Sequence, residues 1–432
     1  MTTSAAATSN AAISADRTSP SSTGPTSAGT TSSAGTTSAG TTSALPSSRT
    51  LEWVNKLVSF DTTSRNSNLQ LIHTMAEELT ARGLTPVFVP NADGSKANLF
   101  ATIPAHDGSV TGGIMLAGHT DVVPVDGQDW ASDPFTPEVR EGKLYGRGTT
   151  DMKAFSGVIL SLLPELLSRP LAEPLHLAWT YDEEVGCHGA VVLLAEMAAR
   201  GIHPRLSFVG EPTSMRAVSA HKSSQLYRVS VSGLAAHSSM TSTGVNAIEY
   251  AARAIAFIRS LADEHRLSGP FDESFIVPYT TANVGVVEGG VAVNTVADRC
   301  DFEFEFRTIP GVNPDAVIAR IDDHLGTLRD EIQRENPAAN IVLMPLGSVP
   351  GLSPEGPREA LELAQQLTGS SAEETVVYAT EAGLFQRAGI DTVVCGPGSM
   401  DQGHTANEFI ELSQIAACED FLRALAAHLA AN

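Results

Sequence analysis

IMLAGHTD, residues 114–121, carries a strand-sized apolar run straight into His119 and Asp121. The same arrangement recurs along the chain. LHLAWTY (175–181) leads into Asp182, Glu183 and Glu184; LSFVG (206–210) leads into Glu211; TVVCGPG (392–398) leads towards His404. Helical patterns lie between these runs, a long apolar one over about 152–167 and AVVLLAEMAAR at 190–200. Strands alternating with helices predict an α/β domain around a parallel or mixed sheet. In an open sheet of that kind, ligands bind outside the carboxyl ends of the strands. Four strand ends therefore deliver carboxylates or imidazoles to one edge, and Asp151 joins them from the start of the long helix.

On the N-terminal side, LEWVNKLVSF (51–60) reads as a short helix. Leu71, Ile72, Met75 and Leu79 mark one face of a second helix, closed by Gly83. TPVFV (85–89) and NLFATI (98–103) are strand-sized. The pattern changes near His221. QLYRVSVSG (225–233) alternates with period two, and a helix follows over about 246–264. TANVGVV (281–287) comes next, then RCDFEFEFR (299–307), which alternates acid with Phe and so has one wet face and one dry. A helix from Pro314 and the strand IVLMPL (341–346) close the segment. This order predicts a small ferredoxin-like α+β unit. After Pro350 the α/β pattern resumes, with a helix over 358–367. The expected domains are a first catalytic part at 49–219, an insertion at 220–350 and a second catalytic part at 351–432.

The first 48 residues are almost wholly Ser, Thr, Ala, Gly and Pro. They have nothing to bury and are expected to form a disordered tail. They contain neither the apolar run of a secretory signal nor the repeated arginines of a transit peptide. The remainder is long enough for two or three domains. A formal charge of −22, from 49 acidic against 27 basic residues, repels phosphate backbones and argues against a nucleic-acid partner. No apolar run is long enough to predict a membrane span. Cys187, Cys300, Cys395 and Cys418 form no CxxC pair, which favours reduced, buried thiols in a cytoplasmic protein over a disulfide framework or a thiolate metal site.

Each candidate site residue has an ordinary explanation when taken alone. Asp151 is a helix N-cap, Glu183 and Glu184 are a solvated loop pair, His119 is a core histidine and His404 a surface one. Together they point elsewhere, because gathered carboxylates repel one another and need a cation. Three carboxylates and two imidazoles are overcompensated by two divalent ions. Asp121 stands two residues beyond His119 on an extended segment and points the same way. It is expected to take the second ring N–H of that histidine. Adjacent glutamates cannot share one role. One binds metal while the other takes a proton from water and passes it to a leaving amine.

GHTDVVPVDG (118–127), YGRGTTDMK (145–153), DEEVGCHGA (182–190), GEPTS (210–214), SGLAAHSS (232–239), GGVAVNT (289–295) and CGPGSMDQGH (395–404) occur in this order. The set resembles the two-zinc amidohydrolase family of aminoacylases, desuccinylases, carboxypeptidases and acetylornithine deacetylases, over residues 49–432. The resemblance implies an α/β metallopeptidase-like catalytic domain interrupted by a ferredoxin-like α+β lid and dimerisation domain. It implies two divalent ions, zinc by resemblance, with cobalt or manganese also suited to His and carboxylate donors. His119 and Glu211 then belong to the first metal, Asp151 bridges, and Glu184 and His404 belong to the second. Glu183 is the general acid/base and Asp121 the residue behind His119. His237 of the lid reaches the reacting carbonyl across a dimer interface; without the resemblance it is a turn histidine. Arg307 holds the substrate carboxylate with its forked guanidinium; its ordinary reading is a surface arginine paired with a neighbouring Glu. Asn294 is a candidate contact for carboxylate or carbonyl, or a plain hairpin residue.

Within the family, ATEAGLFQRAG (379–389) and CGPGSMDQGHTANEFIEL (395–412) resemble the acetylornithine deacetylase branch. That branch implies removal of acetate from N2-acetyl-L-ornithine, in arginine biosynthesis, by a cytoplasmic homodimer acting on a small N-acylated amino acid. Glu381 is a candidate to select the cationic side chain, or a helix N-terminal Glu favoured by the dipole. The chain departs from close relatives at Thr150 and Ala154, in lacking a proline after His237, and in VADRCDF (296–302). None of these departures touches a proposed ligand. Alternatives are another N-acyl amino acid deacylase, a succinyl-diaminopimelate desuccinylase or a dipeptidase. A catalytically inactive binding protein of the same fold is the alternative of a different class, and it should have lost a ligand or the base.

Overall fold

The computed structural model describes residues 45–431, so residues 1–44 of the expected tail lie outside the described residues. The first helix, Ser48–Val58, starts ahead of the LEWV run. Ser47 caps it by accepting the Thr50 N–H at 3.2 Å. The Ser47 N–H and the Thr50 hydroxyl both reach Glu419 on the last helix. These two links anchor the start of the fold. The next helix, Leu69–Ala81, buries Leu71, Ile72, Met75 and Leu79 as their spacing predicts.

An eight-stranded mixed sheet forms the larger body. Its order is Val87–Pro90, Ala97–Ile103, Leu175–Thr180, Ile114–His119, Leu206–Pro212, Asp391–Gly396, Ala217–His221 and Glu373–Val376. The third to sixth of these are mutually parallel. Ile114–His119 and Leu175–Thr180 are buried at every position, and strands covered on both faces read as unbroken apolar runs. Helices Ser48–Val58, Leu69–Ala81, Ala154–Leu166, Glu359–Thr368 and Leu412–Leu429 share the core on one face. His188–Ala199 and Ala382–Arg387 cover the other. All four cysteines are unpaired and buried.

The long apolar helix begins later than its sequence run, at Ala154. Residues Thr149–Lys153 form a separate turn in which Asp151 has φ −120° and ψ 94°, outside helical space. Asp151 is therefore presented by a distorted turn rather than by a helix cap.

The second sheet is antiparallel, in the order Thr281–Gly289, Arg299–Arg307, Ser224–Ser232 and Asn340–Val349. Helices Ala247–Ser268 and Pro314–Glu335 pack on one face around Phe302, Phe304 and Phe306. This is the strand order of a ferredoxin-like unit. Strand alternation turns Glu303, Glu305 and Arg307 to the opposite face. A small sheet of Phe409–Glu411, Lys143–Tyr145 and Glu138–Arg140, not foreseen from sequence, ties the segment after His404 to the one before Asp151. Among the described residues no helix is long and apolar enough to cross a membrane.

Candidate metal centre

The four parallel strands end at one edge of the sheet, and the predicted ligands meet there. Two sets of side chains, His119–Asp151–Glu211 and Asp151–Glu184–His404, each bring their donor atoms within 4.8 Å of one another. Asp151 belongs to both. Its Oδ1 lies 2.9 Å from His119 Nε2 and its Oδ2 lies 3.1 Å from His404 Nε2. Glu211 Oε1 is 3.6 Å from His119 Nε2, and Glu184 Oε2 is 3.0 Å from His404 Nε2. Local packing fixes these strand ends. A Cβ on Gly210 would lie 2.1 Å from the Phe155 ring, so the strand bearing Glu211 rests directly on that buried ring.

The donor set fits a cation pair. His119, Asp151 and Glu211 are almost wholly buried. Glu184 Oε1 is buried with no hydrogen-bond partner among the described residues. Burial, aided by the charge of Asp151, pushes the Glu211 carboxyl well above its ordinary range. The same two causes push Glu184 up to about 7. Burial and the Glu211 charge raise Glu183 strongly. The histidines move upward as well, which keeps them charged where the acids turn neutral: hydrogen bonds to Asp151 and Glu184 lift His404 to about 11. Burial opposes ionisation of Asp151, but hydrogen bonds from His119 and His404 hold it low. Acids that repel and imidazoles that gather positive charge among them are the electrostatics of a cation site.

Asp121 does not hold His119 as expected. The ring Nδ1 lies 2.9 Å from the Asp121 backbone carbonyl, whereas the nearest carboxylate oxygen is 3.7 Å away. The carboxylate instead accepts the Ser64 hydroxyl at 2.7 Å and the backbone N–H groups of Glu183 and Glu184 at 3.1 and 3.3 Å. The turn after Thr180 offers these N–H groups within reach, and they outcompete a ring already satisfied by main chain.

A cavity of about 310 Å³ opens over the acids. Asp151, Glu183, Glu184, Glu211 and His404 line its floor; Glu305, Arg307 and Tyr378 line its walls. Arg307 pairs with Glu305 at 3.0 Å, as its ordinary reading predicts, yet both face the cavity. Glu381 does not. It is 1% exposed at the start of helix Ala382–Arg387, and burial raises it to about 7. His237 and Asn294 also stay away from the floor. His237 lies on the exposed bridge to Thr295, where its Nδ1 meets the Ser239 hydroxyl at 2.8 Å, and the Asn294 carbonyl accepts the Ser238 N–H. Glu305, Tyr378 and Cys187 line the cavity without having been singled out from sequence. Only Glu305 carried a signal, its i,i+2 spacing from Arg307. A second hollow, about 380 Å³, lies where Thr308–Val312 meets Pro350 and Gly351, and it contains no acid or imidazole.

Comparisons with known proteins agree with this geometry. Residues 115–428 match the family described as Peptidase family M20/M25/M40. An acetylornithine deacetylase of Proteus mirabilis (strain HI4320) is 36% identical over 359 residues, covering 82% of this chain and 88% of the relative. A tripeptidase from Staphylococcus aureus subsp. aureus Mu50 has the same fold, with TM-score 0.69 and 21% identity over 89% of this chain and 99% of that one. A Bacillus subtilis protein described as a dinuclear metal binding peptidase from the M20 family superposes with TM-score 0.59 and 14% identity, over 88% of this chain and 98% of its own.

Proposed function

The chain belongs to peptidase family M20/M25/M40 and is a metal-dependent hydrolase; from that premise we propose that it hydrolyses N2-acetyl-L-ornithine to L-ornithine and acetate. The observation that carries the hydrolytic reading is the pair of donor sets sharing Asp151 under a cavity that Glu183 also lines. We assign zinc to both sets; cobalt and manganese suit the same donors. Two divalent cations, when bound, polarise the acyl carbonyl and acidify water. His119 and Glu211 would hold one, His404 and Glu184 the other, and Asp151 stands in both donor sets. Glu183 takes the proton from the attacking water and delivers it to the departing amine nitrogen. The C–N bond breaks, the water oxygen ends in acetate, and both water protons end on the nitrogen, which leaves as the ammonium of ornithine.

The substrate assignment rests on the relative's name and on the cavity wall. Acetylornithine carries a carboxylate and a cationic side chain. Arg307 suits the first. Glu381 is sealed away from the cavity, so selection of the cation falls to Glu305, two residues before Arg307 on the same strand face. The test is a panel of acetylornithine, acetylmethionine, succinyl-diaminopimelate and dipeptides on zinc-loaded protein. Acetylornithine is expected to give the highest kcat/KM; a dipeptide or neutral acyl amino acid tenfold better overturns the substrate reading and leaves the hydrolase standing.

The same reading makes the enzyme a cytoplasmic homodimer. Thr281–Gly289 is an edge strand with Val286 and Val287 exposed, and Val291 and Val293 on the adjoining loop are exposed as well. Open edges invite pairing with another chain. A second copy covering this edge brings the partner's His237 towards the reacting carbonyl, where it stabilises the developing oxyanion.

A further inference from the structure

We propose that the buried Arg147–Glu408 ion pair is the positioning element of this centre, holding the Asp151 turn and the His404 loop in ligand geometry before any cation arrives. Its side chains are 1% and 0% exposed and meet at 2.6 Å. A buried pair of this kind is by itself weak ground for stability. What distinguishes it is where its other hydrogen bonds go.

Glu408 Oε1 accepts the backbone N–H groups of Thr150 at 2.8 Å and Asp151 at 3.1 Å. Its Oε2 accepts Arg147 Nη1 and the Gly148 N–H at 3.0 Å. Gly148 has φ +83°, a left-handed conformation that glycine adopts without strain and that turns its N–H inward. All four partners are N–H donors. A carboxylate, acceptor at both oxygens, satisfies them; an amide sets its own NH2 against two of them. The distorted turn bearing Asp151 thus gets its backbone partners from Glu408, in place of the helical ones it lacks.

The other fork of Arg147 completes the circuit. Arg147 Nη2 donates to Gln128 Oε1 at 2.6 Å, and Gln128 Nε2 donates to the His404 carbonyl at 3.0 Å. Asn407 Oδ1 accepts the Ala131 N–H at 2.8 Å beside it. Three segments are joined: the loop that follows His119 and Asp121, the turn before Asp151, and the His404–Glu408 stretch. Asp151 and His404 share one donor set, so the network fixes two candidate ligands that are far apart in sequence.

The proposal rests on the metal reading, and the test separates the two. Wild-type, Glu408→Gln and Gln128→Leu proteins are titrated with Zn2+ against a chromophoric chelator, and their Co2+-loaded absorption spectra and melting temperatures are recorded. Gln128 is half-buried, so its variant should fold even where the Glu408 variant fails. In each folded variant we expect weaker binding of one of two ions by about 10–100-fold, the usual effect of losing a ligand's supporting hydrogen bonds, with an altered Co2+ spectrum. Wild-type ion affinities and spectra in both variants, with only a lower melting temperature, overturn the proposal and leave a purely structural pair. Absence of Zn2+ binding by the wild type would instead sink the metal centre itself.

Discussion

The Asp121 carboxylate accepts the Glu183 N–H at 3.1 Å while the Asp121 carbonyl sits 2.9 Å from the His119 ring. One residue thus meets the His119 ring with its main chain and the turn bearing Glu183 with its side chain. Asparagine keeps the first function and damages the second, because an amide accepts at one atom only. Asp121→Asn is expected to lower kcat by about 10–100-fold with KM and zinc content little changed. Steady-state kinetics with metal analysis checks this; a raised KM at unchanged kcat would show that Asp121 does not align Glu183.

The role proposed for Glu183 is narrower. Glu183 Oε1 lies 3.5 Å from the Cys187 sulfur, and among the described residues neither donor set includes it. Glu183→Gln removes the proton acceptor and leaves the ligands in place. Turnover should fall by about 10²–10⁴-fold, the usual worth of a general base, with both ions retained. Activity within a few fold of wild type contradicts the role.

The sequence exposed those features that follow from repetition. Four apolar runs ending in acid or imidazole are visible as such, because fully buried parallel strands cannot disguise their composition. The βαββαβ order of the insertion is equally readable from its periodicities. Asp121 departs from its expected contact because its backbone carbonyl, invisible in sequence, satisfies the His119 ring. Glu381 stands at a helix start, as one of its two readings has it, but that position says nothing about which side of a sheet edge stays open. Arg147 and Glu408 stand in the motifs YGRGTTDMK and HTANE, but 261 residues separate them, and only the fold makes them partners.

The contrast between Glu305 and Glu381 can be measured directly. Glu305 is about one-third exposed and ion-paired, so its charge is worth at most about 1 kcal/mol, or fivefold. Glu305→Gln should raise KM for acetylornithine by about that factor relative to a neutral acetyl amino acid. Glu381→Gln should leave the ratio of the two substrates alone. The reverse pattern returns selection to Glu381 and overturns the assignment to the cavity wall.

His221 makes a prediction about pH. It is wholly buried, its Nε2 lies 3.1 Å from the Thr380 hydroxyl, and burial lowers it from 6.5 to about 4. Between those values the unfolded chain binds a proton that the native state refuses. Stability is therefore full above pH 6.5, falls as pH drops towards 4, and changes no further on this account below it. The loss is about 3 kcal/mol at most. Urea unfolding of chelator-treated wild type and His221→Asn at pH 7 and 4.5 should show a shallower pH dependence in the variant. Parallel curves would remove His221 as the cause.

The exposed position of His237 yields the sharpest test of assembly. Within one chain the histidine does not line the cavity, so under the dimer reading each site borrows the imidazole of its neighbour. Glu183→Gln and His237→Ala proteins should then each be nearly inactive alone. A mixed dimer contains one site with an intact Glu183 facing the other chain's intact His237, and a second site with neither. Unfolding and refolding the two variants together at equal concentrations gives roughly half mixed dimers by random pairing, so about a quarter of wild-type activity should return. Recovery must track the mixed species, isolated through a different affinity tag on each variant, since it arises from a shared site and not from either parent. If the mixture stays as inactive as its components although mixed dimers form, His237 does not act across the interface, and the edge strand Thr281–Gly289 loses its catalytic purpose.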